Sequence, residues 1–132
     1  LLNLGMVPVA YGDVLPDLET GLNILSGDQL VPYLAKKLVA ERVIIVTSHN
    51  GVFDRDPEME GAVKLDFVDE DVLEALRRRS TKGTDVTGGI CGKVGELVAL
   101  AKHGIKSEII GAKPGYLKRA LLGEEGLGTV IR

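Results

Sequence analysis

A pair of glycines followed by a lysine is the sequence feature best suited to chemistry. Gly88 and Gly89 expose the backbone where a helix is predicted to begin, and Lys93 follows one turn later. Backbone N–H groups at a helix start bind phosphates when an ammonium group lies nearby. The order of residues is not that of a P-loop, because no Ser or Thr follows the lysine. The pattern indicates an anion site, and the alternative interpretation is a glycine-rich helix entry with a surface lysine.

A second candidate site lies where another helix is predicted to begin, at Ser26-Gly27-Asp28. Gly27 lets a ligand approach the backbone closely, and the N-terminus of a helix favours an anion. Ser26 and Asp28 are also residue types that commonly cap helices. Spacing alone leaves both interpretations open, an anion site and a simple cap.

A polar loop, residues 48–51, follows a predicted strand and leads into Val52 and Phe53. Ligands of open α/β sheets bind at the carboxyl ends of the strands, so this loop is a candidate ligand wall. The alternative is an ordinary turn built on Asn50-Gly51. His49 has no second His or Cys at metal-ligand spacing, so no zinc site is expected. The charged residues 55–61 are interpreted as exposed loop.

The hydrophobic pattern predicts strands alternating with helices. Helices are predicted to begin near Asp28 and to cover 69–79, 88–103 and 116–122. Strands are predicted at 7–10, 42–47, 63–65, 107–111 and 128–131, with a hairpin of 11–15 and 22–25 around a loop of about five residues. The run 42–47 is apolar without alternation, which is typical of a central parallel strand buried on both faces. This order predicts an α/β fold with a mostly parallel sheet flanked by helices.

Composition excludes several classes of protein. The chain has 132 residues, 27% of them charged, and a net charge of −3, values typical of one globular domain. The acidic balance argues against a nucleic-acid partner, and the arginines at 77–79 are interpreted as the solvated end of a helix. No apolar run approaches the roughly 20 residues of a membrane span, so no membrane partner is expected. Cys91 is the only cysteine, which fits a reducing cytoplasm.

Five motifs occur in a fixed order along the chain: Gly12-Asp13, Ser26-Gly27-Asp28, Thr47…Gly51-Val52-Phe53, Asp85-Val86-Thr87-Gly88-Gly89…Lys93 and Gly128-Thr129-Val130-Ile131. Together they resemble the amino-acid kinase superfamily, most closely its members that phosphorylate isopentenyl phosphate. The resemblance covers essentially the whole chain and corresponds to the ATP-binding C-terminal half of that fold. It implies that residues 1–132 are one partial domain. It also implies that the missing half carries a Gly-Gly phosphate loop with its lysine and histidine, so the isolated chain is expected to bind ATP weakly without kinase activity.

The resemblance also implies roles for individual residues. Gly27 would bind the phosphate of the acceptor. The implied catalytic residues are Asp28, which would orient lysines around the transferring phosphoryl group, and Lys93, which would neutralise its charge. The implied contacts to ATP, the cofactor together with Mg²⁺, are Thr47, Ser48, Phe53, Gly88, Gly89 and Lys93.

Two positions depart from the pattern of the family. Ser48 and Asn50 stand where the family has aspartates, so two carboxylates are lost. Both residues still form hydrogen bonds, and the expectation is that ATP binding is weakened but retained.

The implied function is ATP-dependent phosphorylation of a small phosphorylated isoprenoid, isopentenyl phosphate, to its diphosphate by a cytoplasmic homodimer. One alternative is another kinase of the superfamily, for fosfomycin, uridylate or acetylglutamate. Another is a non-catalytic nucleotide-binding module, which the changes at Ser48 and Asn50 would suit. The preceding sequence distinguishes them, because only an enzyme needs the phosphate loop with its lysine and histidine.

Overall fold

The computed structural model of the chain describes residues 1–80 and 90–132. The predicted phosphate-binding glycines, Gly88 and Gly89, lie outside the described residues. The strands are β1 (Asp13–Asp17), β2 (Gly21–Leu25), β3 (Arg42–Thr47), β4 (Phe67–Val68), β5 (Lys106–Gly111) and β6 (Thr129–Ile131). The helices are α1 (Gly27–Leu38), α2 (Glu70–Ser80), α3 (Ile90–Ala101) and α4 (Tyr116–Leu121).

Four of these strands form one sheet in the order β3-β5-β6-β4. β3 is parallel to β5, with Thr47 opposite Gly111, and β4 is parallel to β6. β5 and β6 are antiparallel, with Ile109 opposite Thr129. Two of these three pairings are parallel and helices flank the sheet, so the predicted α/β fold with a mostly parallel sheet is confirmed.

Helices cover the two faces of the sheet unequally. Successive residues of a strand point to opposite faces, and Ile109 and Ile110 of β5 show both environments. Ile109 belongs to the larger buried cluster, which also contains residues of α1, α2 and α3 such as Leu97. Ile110 belongs to a smaller cluster with Ala120 of α4. The site described below lies on the side of the three helices.

The prediction that residues 42–47 form a central strand buried on both faces is wrong. β3 pairs only with β5 among the described strands, so it lies at the end of the sheet. Val43 is buried against the larger cluster, whereas Val46 is 44% exposed. The six-residue helix α4 is too short to cover the whole of the second face.

The N-terminal region differs from its prediction in two ways. Residues 7–10 form no strand, and Val7 and Val9 are exposed. The predicted hairpin is present as β1 and β2, but its loop is shorter because Asp17 pairs with Gly21. The Asp17 carboxylate accepts the backbone N–H of Thr20 at 2.7 Å, which tightens the turn.

The backbones of β5 and β6 approach each other closely where β6 begins. A Cβ atom added at Gly128 would lie 1.9 Å from the carbonyl oxygen of Ile109 on β5. A methyl group added at Gly92, on α3, would meet no atom within 4 Å. Gly128 therefore allows β6 to lie close to β5, whereas the position of Gly92 has room for a side chain.

We expect Gly128→Ala to lower the free energy of unfolding by about 3 kcal/mol, because the two strands would have to separate. Gly92→Ala should raise it by about 0.5–1 kcal/mol, since alanine has the higher helix propensity. Urea unfolding of the complete gene product measures both values. Equal stability of the two variants would contradict the packing of β6 against β5.

Candidate functional site

A cavity of about 440 Å³ opens beside the carboxyl end of β3. Its wall is built by the start of α1, by α3 and by the segment that follows β3. The lining residues are Asp28, Thr47, Ser48, His49, Gly51, Phe53, Arg55, Asp56, Pro57, Glu58, Ile90 and Lys93.

The structure brings together five of the six predicted site residues that it describes, and the sixth, Gly27, does not line the cavity. Asp28, Thr47, Ser48, Phe53 and Lys93 all line this one cavity, although they come from three separate parts of the sequence. Gly27, the residue before Asp28, has no atom within 4 Å of the place where a Cβ would stand, so its backbone is open to a ligand.

An ion pair joins the two helices of the cavity. The Nζ atom of Lys93 on α3 lies 3.4 Å from Oδ1 of Asp28 on α1. The side chains are 27% and 55% exposed, so the ammonium is partly shielded and still accessible from the cavity. A positive group held in this way can meet an anionic ligand without first leaving a buried position.

The glycines beside Lys93 differ in what surrounds them. An added Cβ at Gly92 would meet no atom within 4 Å. At Gly95, by contrast, an added Cβ would lie 2.6 Å from Nη2 of Arg77 on α2. Gly95 therefore provides room for the packing of α2 on α3.

Both interpretations of the α1 start are compatible with the structure. Ser26 is the N-cap, and its backbone N–H donates to Oε1 of Gln29 at 3.3 Å, one half of a capping box. Asp28 takes no part in this cap and its carboxylate instead faces Lys93. The capped helix directs the positive end of its dipole to the side where Gly27 is open.

Hydrogen bonds to β5 hold the loop that follows β3. The N–H of Ala112 donates to the carbonyl of Thr47 at 2.8 Å, and the N–H of Gly111 donates to Oδ1 of Asn50 at 2.9 Å. The Thr47 hydroxyl donates to the carbonyl of His49 at 2.7 Å. Asn50 thus supports the loop and does not line the cavity, whereas Ser48 does.

The segment 55–58, interpreted from the sequence as plain exposed loop, is part of the cavity wall. It belongs to an excursion closed at its base by the antiparallel bridge between Phe53 and Lys64. The N–H of Asp54 donates to the carbonyl of Val63 at 3.0 Å. The signal available in the sequence was position, because this charged run with Pro57 directly follows the predicted ligand wall.

Asp54 fixes this excursion through its carboxylate. The Arg55 guanidinium donates to it, with Nη2 2.9 Å from Oδ2, and the N–H of Val63 donates to Oδ1 at 2.9 Å. These hydrogen bonds, together with the charges of Arg55 and Arg79, hold the pKa of Asp54 below its ordinary value of 3.8. The ionised form of Asp54 is therefore part of the folded excursion.

Two further observations concern metals and membranes. The described residues, 1–80 and 90–132, contain no group of three or more His, Cys, Asp or Glu side chains placed to hold a metal ion. No helix within those ranges has the length and apolar character needed to cross a membrane.

Comparisons with known proteins show the family to which the chain belongs. The model of the amino acid kinase family matches residues 1–111. The isopentenyl phosphate kinase of Methanothermobacter thermautotrophicus is 47% identical over 98% of this chain and 50% of its own length. The isopentenyl phosphate kinase of Arabidopsis thaliana is 34% identical over 99% of this chain and 46% of its own length. The chain thus spans about half the length of the curated relatives it matches.

A solved structure shows the same fold. A chain from the X-ray structures of isopentenyl phosphate kinase superposes with a TM-score of 0.78 at 40% identity. The superposition covers 98% of this chain and 47% of that chain.

We expect the Asp54 carboxyl to titrate below pH 3.8, as measured by NMR of its side-chain carboxyl carbon. Because the pKa is lower in the folded than in the unfolded chain, the stabilisation is present above pH 3.8. It is lost as the pH falls through the folded-state pKa. Arg55→Gln should raise the midpoint toward 3.8, and Arg79→Gln should raise it less because Arg79 contributes only its charge. An unchanged midpoint in Arg55→Gln would contradict this account.

Proposed function

The chain belongs to the amino acid kinase family, and on that premise we propose that it supplies the nucleotide-binding half of an isopentenyl phosphate kinase. The reaction is transfer of the γ-phosphoryl group of ATP to isopentenyl phosphate, which gives isopentenyl diphosphate and ADP. The observation that carries the proposal is the Lys93–Asp28 ion pair in the cavity at the carboxyl end of β3. The identity to isopentenyl phosphate kinases over nearly the whole chain supports the choice of acceptor.

The cavity has a charged end and an aromatic end, an arrangement that suits ATP. Lys93 and Asp28 provide one end, where phosphates would bind, and the open backbone of Gly27 directly precedes Asp28. Phe53, half-buried, provides an aromatic surface for a base, and the hydroxyl of Ser48 is available for a polar contact. We assign the phosphates to the helix ends and the nucleoside to the loop after β3. Gly88 and Gly89 remain predicted phosphate contacts.

Phosphoryl transfer asks the protein mainly for positioning and for stabilisation of charge. The bond from the γ-phosphorus to the β–γ bridging oxygen breaks while an oxygen of the acceptor phosphate bonds to the same phosphorus. Negative charge grows on the bridging oxygen and spreads over the transferring group. The Lys93 ammonium would stabilise that charge, while Asp28 would hold the ammonium in place.

Magnesium is proposed as the companion of ATP. Asp28 is a carboxylate beside the phosphate end, and the described residues have no three-ligand cage. This donor set fits Mg²⁺ that is held mostly by phosphate oxygens and water, the usual arrangement in kinases. When bound, the ion neutralises charge on the phosphates.

The acceptor phosphate is placed against Gly27, because the backbone there is open and lies beside the positive end of α1. We also propose a cytoplasmic homodimer for the complete protein. A single cysteine, Cys91, is compatible with a reducing compartment, and the dimer follows from the family resemblance.

We expect the complete gene product to convert isopentenyl phosphate and ATP into the diphosphate and ADP, as followed by phosphorus NMR. Uridylate, acetylglutamate and fosfomycin, each supplied with ATP, are the comparison acceptors. Transfer to one of these instead would leave a kinase with a different substrate. ATP binding without transfer to any of the four would favour the non-catalytic module.

We expect Lys93→Ala to lower kcat by about a hundredfold, or roughly 3 kcal/mol, with a much smaller change in the Kd for ATP. The negative charge that the ammonium stabilises develops only as the phosphoryl group is transferred. Lys102→Ala is the control, because Lys102 follows the same helix and pairs with Glu70 at 2.7 Å on the surface. It should change the barrier by less than about 0.5 kcal/mol. Similar single-turnover rates for the two variants would remove Lys93 from the site.

A further inference from the structure

We propose that Thr129, the first residue of β6, is a positioning residue for the nucleotide. Its hydroxyl holds the loop after β3 in the shape that lines the cavity. The inference rests on the proposed function, because it concerns the same nucleotide site. It adds a residue that lies beyond the 1–111 range matched by the family model.

The Thr129 hydroxyl joins two segments that are far apart in the sequence. Thr129 is fully buried, and Val52 N–H donates to its Oγ1 at 2.8 Å. The hydroxyl in turn donates to the carbonyl oxygen of Leu65 at 2.6 Å. The N–H of Leu65 donates to the carbonyl of Val52 at 2.8 Å, which completes the junction. One side chain thus satisfies a buried donor and a partly buried acceptor.

This junction lies directly under the cavity wall. Gly51 and Phe53, the neighbours of Val52, both line the cavity. Gly51 has a φ of +111°, and an added Cβ would lie 2.5 Å from the Oγ1 atom of Thr129. Since Gly51 packs against the hydroxyl and Val52 is bonded to it, a displaced junction would move both lining residues.

Thr129 is itself fixed to the sheet. It pairs with Ile109 on β5, and a Cβ added at the preceding Gly128 would lie 1.9 Å from the carbonyl oxygen of Ile109. The N–H of Gly128 donates to Oε1 of Glu108 at 3.3 Å, and the carbonyl of Gly128 accepts from Nζ of Lys64 at 3.4 Å. Thr129 is therefore held on the sheet side, and the loop is the part that its hydroxyl positions.

Loss of the hydroxyl should act on one substrate only. Thr129 does not line the cavity, so its effect reaches the nucleotide through Gly51 and Phe53. Among the described residues, no hydrogen bond joins the proposed acceptor position at Gly27, on α1, to this junction. Thr129→Val keeps the shape and removes the hydroxyl, which leaves the Val52 N–H and the Leu65 carbonyl without their bonds. Thr129→Ser keeps the hydroxyl.

Steady-state kinetics of the complete gene product provide the first test. Thr129→Val should raise the KM for ATP by about tenfold or more, with the KM for isopentenyl phosphate within about twofold of wild type. Thr129→Ser, which keeps the hydroxyl, should have the same KM for ATP as the wild-type protein. Ser107→Ala is the matched control, because Ser107 is a buried hydroxyl of the same sheet whose Oγ has no partner among the described residues. It should leave both KM values unchanged.

A rise of both KM values together in Thr129→Val would indicate general destabilisation and overturn the proposal. So would a Thr129→Ser enzyme as impaired as the valine variant. If the wild-type protein transfers no phosphoryl group to isopentenyl phosphate, the proposed function fails, and the positioning role is then decided by amide hydrogen exchange.

Amide exchange in the wild-type protein requires no activity and no variant. The Val52 amide should exchange as slowly as the amides of β5, while the amide of His49, an exposed residue, should exchange quickly. In Thr129→Val the exchange of Val52 should accelerate by about tenfold or more relative to β5, and Thr129→Ser should keep it slow. If the valine variant does not fold, the exchange rates of Val52 in the wild-type protein and in Thr129→Ser still test the role of Thr129. Rapid exchange of Val52 in either would overturn the role of Thr129.

Discussion

Some polar backbone groups beyond the carboxyl end of β3 are withdrawn from water, among them the N–H of the fully buried Val52. An unpaired buried group costs about 1–3 kcal/mol, so a path that gives each such group a hydrogen-bond partner is favoured. Those partners are the Ala112 N–H for the Thr47 carbonyl and the Thr129 hydroxyl for the Val52 N–H. Both come from the strands and loops beyond β3. The shape of the cavity wall therefore depends on the strand order of the sheet, which places β5 beside β3 and β6 beside β5.

Packing, rather than charge, sets the distance between the two helices of the site. A partly exposed ion pair such as Lys93–Asp28 contributes about 0–1 kcal/mol. The burial of Val94, Leu97 and Val98 on α3 is worth several times more. Since the ion pair is not needed to hold the helices together, its ammonium is free to interact with a ligand. Because packing holds the two helices together, the Lys93–Asp28 pair can be rearranged by a ligand without a large loss of stability.

Local patterns in the sequence predicted most of the helices and strands, and together with the family resemblance they indicated five of the residues that line the cavity. The start of α1 was expected near Asp28 and lies at Gly27, and the glycine-flanked Lys93 lies beside Asp28. Long-range relations were not predictable. The apolar run of β3 is the same for a central strand as for an end strand, so only the pairing order shows its place. The cavity wall at 55–58 depends on the bridge between Phe53 and Lys64, which no local pattern indicates.

The two positions that depart from the family pattern now have different meanings. Asn50 presents Oδ1 to the N–H of Gly111, and an aspartate would offer an acceptor in the same place. Asparagine there keeps the loop in position, so the change does not by itself argue against nucleotide binding. Ser48 lines the cavity, where a hydroxyl instead of a carboxylate removes a negative charge near the ligand. Because the proposed ligand, ATP, is an anion, loss of that charge lowers the electrostatic repulsion at this wall, while the Ser48 hydroxyl still offers one acceptor and one donor.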